Sequence, residues 1–108
     1  MATINNIVID QGTTYSFTFN LTNADGSAKD LSSYTIAAQL RKSYYTSTAT
    51  DFTTDTVDAD GEITISLTAT QTANLKAGRY VYDIEIDDGT ETLRILEGIV
   101  TVTPEVTR

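Results

Sequence analysis

The sequence predicts an all-β fold: an antiparallel β-sandwich of seven to eight strands with one short helical turn, residues 1–108 forming a single domain. Three observations predict it. Apolar and polar residues alternate in four separate stretches, three Asp-Gly pairs fall between strand-like runs, and 21 of 108 residues are Thr, a type suited to pleated, half-buried surfaces. A chain of 108 residues buries roughly two thirds of its unfolded surface, enough for one core and no more.

The first clear strand is "TTYSFTFNL", where Tyr15, Phe17, Phe19 and Leu21 share one face and Ser16, Thr18 and Asn20 the other. The same period of two recurs at Tyr34, Ile36, Ala38 and Leu40, at Ile63, Ile65 and Leu67, and at Tyr80, Tyr82, Ile84 and Ile86. Four one-sided strands need a second layer to bury against. Asp25-Gly26, Asp60-Gly61 and Asp88-Gly89 mark tight turns, because Gly accepts positive φ without a Cβ clash, and they imply mainly antiparallel meanders.

In the last run, "ETLRILEGIVTVT", the apolar parity slips: Leu93 and Ile95 share one face while Leu96, Val100 and Val102 share the other. Gly98 suggests a bulge that resets the register, and Pro104, which lacks an N–H, suggests the strand's end at a sheet edge. The segment "TATQTANLKAG" departs from alternation, with Ala69, Thr72, Ala73 and Leu75 at near-helical spacing and Gly78 at the place of a C-terminal cap. It predicts one or two helical turns joining strands. The stretch Arg41–Thr56, polar with Tyr44, Tyr45 and Phe52 embedded, reads as a projecting hairpin or as a loop.

Composition excludes several chemistries. With no Cys and no His, the ingredients of disulfides, of the usual zinc sites and of Ser-His or Cys-His catalysis are missing. No G-x-S-x-G elbow, P-loop or G-x-G-x-x-G is present. A net charge of −8 repels phosphate backbones and anionic lipids, so neither nucleic acid nor membrane is expected as a partner. The N-terminus lacks a secretory pattern, which predicts a cytosolic or virion-borne chain, and Asn20-Leu21-Thr22 is then a chance match to a glycosylation acceptor.

Asp83, Glu85, Asp87 and Asp88 pose the question of a metal or acid-catalysis site. The first three sit opposite in parity to Tyr82, Ile84 and Ile86, so they are expected on a solvated outer face, with Arg79 and Arg94 offsetting part of their repulsion. "DADGE" lacks the ligand spacing of an EF-hand loop. No catalytic, metal or cofactor residue is predicted, and the chain is expected not to be an enzyme. Tyr15, Tyr34, Tyr80 and Tyr82 read as core with hydroxyls at the rim, whereas Tyr44, Tyr45 and Phe52 read as a contact surface.

Read together, "VIDQGTTYSFTFNLTNADGSAKDLSSYTIAAQLRK", "GEITISLTATQTANLKAGRYVYDIEI" and "ILEGIVTVTPEVTR" resemble small virion proteins of tailed phages, including marine phages and cyanophages. They also resemble the immunoglobulin-like N-terminal domain of phage baseplate upper proteins. "LTATQTANLKAGRYVYD" is similar to the turn between the fifth and sixth strands of immunoglobulin domains, without their cysteines and Trp. The resemblance implies an immunoglobulin-like sandwich and a structural role in the virion, as an accessory block on the capsid, neck, tail or baseplate.

Its implied partners are other virion proteins, with copies of the same chain a further contact within the particle, and its implied location is the virion, or the host cytoplasm during assembly. No cofactor is implied. The arm Ala2 to Asn6 and the tail "TPEVTR" are candidate docking segments or frayed ends. The alternative function is a carbohydrate-binding sandwich aiding host adsorption, with Tyr44, Tyr45 and Phe52 as the sugar platform, a reading that the lack of Trp weakens.

Overall fold

The computed structural model describes residues 3–106 apart from 24, 44 and 47. Its strands are β1 (Thr3–Ile4), β2 (Ile7–Asp10), β3 (Tyr15–Asn20), β4 (Thr35–Arg41), β5 (Thr50–Asp51), β6 (Thr53–Val57), β7 (Glu62–Leu67), β8 (Gly78–Asp87) and β9 (Thr92–Thr103). Seven of these are four residues or longer. One sheet, called sheet A here, runs β1-β9-β8-β4-β5, with β2 also on β9; the other, sheet B, runs β3-β7-β6. The predicted two-sheet, all-β sandwich is the fold observed.

The alternation explains which side chains meet between the sheets. Ile63, Ile65 and Leu67 of β7 face Leu40 of β4, Tyr82, Ile84 and Ile86 of β8, and Val100 and Val102 of β9 in one buried cluster. Each such side chain contributes about 1.5–3 kcal/mol by leaving water. The strand order is that of an immunoglobulin-like sandwich, with β3, β7 and β6 opposite β4, β8 and β9. A further mark of that architecture is the Tyr80 hydroxyl, which donates to the Lys76 carbonyl at 2.8 Å across the β7–β8 corner.

That corner holds the helical turn α1 (Ala69–Ala73). Thr68 caps it: its Oγ1 accepts from the Gln71 amide at 3.1 Å while the Gln71 side chain accepts from the Thr68 amide at 2.9 Å. The buried Thr72 donates its hydroxyl to the Thr13 carbonyl at 2.7 Å, tying the turn to the β2–β3 connection. Gly78 is not the cap. The helix ends at Asn74, and Gly78 is the first residue of β8.

Three further expectations need correction. The register slip in β9 occurs at Ile95, not Gly98: Ile84 pairs with Leu96 and Glu85 with Arg94, so the extra residue brings Leu93 opposite Ile86 and restores the parity. Gly98 is instead a close approach, since a Cβ there would lie 2.3 Å from the Asn5 carbonyl oxygen. Pro104 does follow the last residue of β9, but β9 is interior, between β8 and β1/β2. Asp25-Gly26 does not turn β3 into a neighbour of β4, because those strands lie in different sheets; it closes a small loop in which Thr22 bridges Ala28. A 3₁₀ turn, Asp58–Asp60, fills the β6–β7 connection.

Burial raises the phenol of Tyr82 and, with the charge of Tyr82 nearby, pushes that of Tyr15 up to about 12. The folded state therefore favours the neutral phenols, and their contribution is fully present below the ordinary value of 10.0. Stability is expected to fall as pH climbs from there through about 12, which urea midpoints measured across that range would detect.

Candidate interaction surface

The acidic stretch lies on the outer face of sheet A, as its parity predicts. Strand register sets Asp83 between Glu97 and Gln39, and Glu85 between Arg94 and Ala37. Arg94 Nε lies 3.2 Å from Asp83 Oδ2, in a pair half-open to water. Gln39 Nε2 donates to Asp51 Oδ1 at 2.6 Å, and Arg41 donates to Gln39 Oε1 at 3.1 Å and to the Thr46 carbonyl at 2.7 Å. Gln39, Arg41, Asp83, Glu85, Arg94 and Glu97 line an open depression of about 300 Å³.

The last two acids serve the turn. Asp87 Oδ1 accepts from the Gly89 amide at 2.8 Å, and Asp88 Oδ1 accepts from the Glu91 and Thr90 amides at 2.8 and 2.9 Å. Those amides, Glu91 first, hold the Asp88 carboxyl below the usual carboxylate range. A glycosidase acid needs the opposite shift. Among the described residues no three acidic side chains group as they would around a metal ion. Arg94→Ala is expected to cost no more than about 1 kcal/mol, because the ion pair is exposed and screened; thermal melts at low and high salt would check this.

Phe52 does not join the predicted aromatic surface. Tyr44 lies outside the described residues, and Tyr45 is 97% exposed in the β4–β5 connection. Phe52 is 5% exposed and packs edge-on against Tyr82, with centroids 6.3 Å apart, so it belongs to the core. The cause is topological. Asp51 pairs with Gln39 in sheet A and Thr53 pairs with Ser66 in sheet B, so the chain crosses between sheets at Phe52 and drops its ring between them.

The candidate docking arms are also held down. β1 and β2 run parallel to β9, the Asn5 amide donates to the Glu97 carbonyl at 2.8 Å, and the Tyr82 hydroxyl donates to the Asn5 carbonyl. The Ile99 amide donates to Asn6 Oδ1 at 3.0 Å. On the C-terminal side the Glu105 amide donates to Gln11 Oε1 at 3.0 Å. Ala2, Thr107 and Arg108 lie outside the described residues.

Sequence reasoning missed what this docking creates. Ile4, Val8 and Ile99 are 74%, 61% and 41% exposed. Ile4 pairs with Glu97, Val8 with Thr101, and Ile99, between those partners on β9, pairs with Val81. They share the outer face of sheet A, with Asn6 among them and Asp83 and Glu97 beside them. A signal was present: in "NNIVID" and "EGIVTV" two or more apolar residues are consecutive, so one of them must face out of any strand that buries the others.

No protein-family model matches the chain, and no curated protein matches it. Among solved structures, InlP of Listeria monocytogenes is similar at 14% identity with a TM-score of 0.53, over 94% of this chain and 28% of its own. A family 123 glycoside hydrolase from Clostridium perfringens aligns at 14% identity and a TM-score of 0.43, over 97% of this chain and 24% of its own. The chain thus spans less than a third of either protein, and the likeness to InlP is one of fold alone.

Proposed function

We propose that this chain is a non-enzymatic structural protein of a tailed-phage virion, an accessory block attached to the capsid as decoration or to the neck, tail or baseplate. The observation that carries attachment is the patch of Ile4, Val8 and Ile99, three large apolar side chains left in water on one sheet face. Exposed apolar side chains gathered on one sheet face and rimmed by charged residues mark a surface suited to a partner. The particle as the setting rests on the resemblance of the strand and turn segments to phage structural proteins, and the location follows as virion, with the host cytoplasm during assembly. Burial of Phe52 takes one ring out of the proposed sugar platform, so the carbohydrate-binding reading gains no support.

Quantitative mass spectrometry of purified particles tests this. A copy number comparable with the major capsid protein places the chain on the head, and a small fixed number places it on the neck, tail or baseplate. Absence of the chain from particles, while it is abundant in infected cells, overturns the proposal. Val8→Lys alters only the outer face and is expected to fold normally yet be depleted from particles, read by the same measurement alongside a thermal melt of the free protein.

A further inference from the structure

Residues 11–24 carry no charge, although the chain has a net charge of −8. They contain β3, an edge strand of sheet B that pairs with β7 on one flank and with no strand on the other among the described residues. Free edges in soluble proteins are ordinarily guarded by shortness, charge, Pro or a bulge. The other edges here have such guards. β5 and β1 are two residues long, β2 ends on Asp10, and β6 carries Asp55 between the flanking Asp51 and Asp58. β3 offers six residues in unbroken register, Tyr15 opposite Leu67 through Asn20 opposite Glu62, with none of these guards.

Its core-facing row is also incompletely covered. Tyr15, Phe17 and Phe19 point inward but remain only partly buried, because the sandwich opens beyond β3. Phe17 and Phe19 stack with centroids 5.7 Å apart. The architecture explains the gap: in many immunoglobulin-type sandwiches a first strand lies on this flank, whereas here the N-terminal strands are committed to β9.

We propose that the β3 edge is an interface with a second copy of this chain, the two β3 strands pairing antiparallel about a two-fold axis normal to the sheet. Charge selects the occupant. Two acidic copies repel through the faces that carry Asp83, Glu85 and Glu97 or Asp55 and Glu62, and the uncharged edge is where they can approach. Self-complementarity supports it as well. With Phe17 of one copy opposite Phe17 of the other, Tyr15 meets Phe19 and Ser16 meets Thr18, so aromatic rings join on the core side. Hydroxyls join on the wet side, as Thr18 and Thr64 already do at 2.9 Å within the sheet. The two copies of sheet B then form one six-stranded sheet.

This inference rests on the edge alone and not on the virion reading; one is tested by the mass in solution and the other by particle content. Sedimentation equilibrium of the full chain over a concentration series is expected to give twice the mass of one chain. Thr18→Lys, which places a guard on the edge, is expected to raise the dimer dissociation constant by about tenfold or more. Ser66→Lys puts the same charge on the middle strand and is expected to leave the dimer intact. Circular dichroism checks that each variant is folded, and Ser16→Glu replaces Thr18→Lys if the latter is not. A wild-type mass of one chain at every concentration overturns the proposal, as does a dimer that the edge variant leaves unchanged.

Discussion

Phe52→Ala is expected to lower the free energy of unfolding by about 3–5 kcal/mol, the range for removing a buried Phe and leaving a cavity. A domain of this size has about 5–15 kcal/mol in total, so much of the margin would go. Phe52 is placed by backbone as well as by packing: its amide donates to the Ala38 carbonyl at 2.9 Å at the point where the chain leaves sheet A for sheet B. Removing the ring strips Tyr82 of its aromatic neighbour and opens the space under β4 and β8. Tyr45→Ala, seven positions earlier in the same polar stretch, is expected to change stability by no more than about 0.5 kcal/mol, since its side chain stands in water. Urea unfolding of both variants checks the contrast. A loss below about 1 kcal/mol for Phe52→Ala would mean that the ring contributes to the surface and not to the core.

That contrast also marks where the sequence could be read and where it could not. β3, β4, β7 and β8 were legible because each has one wet and one dry side, and a period of two then fixes which residues face inward. The helical turn α1 was legible for a similar reason, its spacing being a different period, while its cap at Thr68 was not read. Phe52 was not. It sits among Thr and Asp with no alternating partner, and its burial follows from the change of sheet, a long-range fact. The acidic row could be assigned to the outer face from parity alone, but the apolar patch beside it could not, because it exists only once β1 and β2 lie against β9. Parallel pairing between the two ends of a chain leaves no local turn signal, whereas Asp88-Gly89 announces the β8–β9 hairpin directly.

The same long-range pairing makes Gly98→Val the second substitution of large expected effect. A Cβ at residue 98 would lie 2.3 Å from the Asn5 carbonyl oxygen, 2.8 Å from its carbonyl carbon and 3.0 Å from Asn6 Oδ1. Two of these are backbone atoms and cannot swing aside, so the segment at Asn5 and Asn6 must lift from β9. Lifting it forfeits the bonds from the Asn5 amide to Glu97, from the Ile99 amide to Asn6 and from the Tyr82 hydroxyl to Asn5. At about 1 kcal/mol for each of the two amide bonds, and about 1–3 kcal/mol for the buried Tyr82 hydroxyl left without a partner, the expected cost is about 3–5 kcal/mol. Hydrogen exchange should report it as lost protection in β2 and along the facing amides of β9, with β3, β7 and β8 less affected. The functional consequence follows from geometry: Ile4 and Val8 ride on the lifted segment while Ile99 stays on β9, so the apolar patch comes apart. On the proposed virion role, Gly98→Val is therefore expected to be depleted from particles at temperatures where the remaining sandwich is still folded. Protection of β2 unchanged from the wild type would mean that the arm tolerates a side chain at 98, and the patch would then have to be dismantled at Val8 instead.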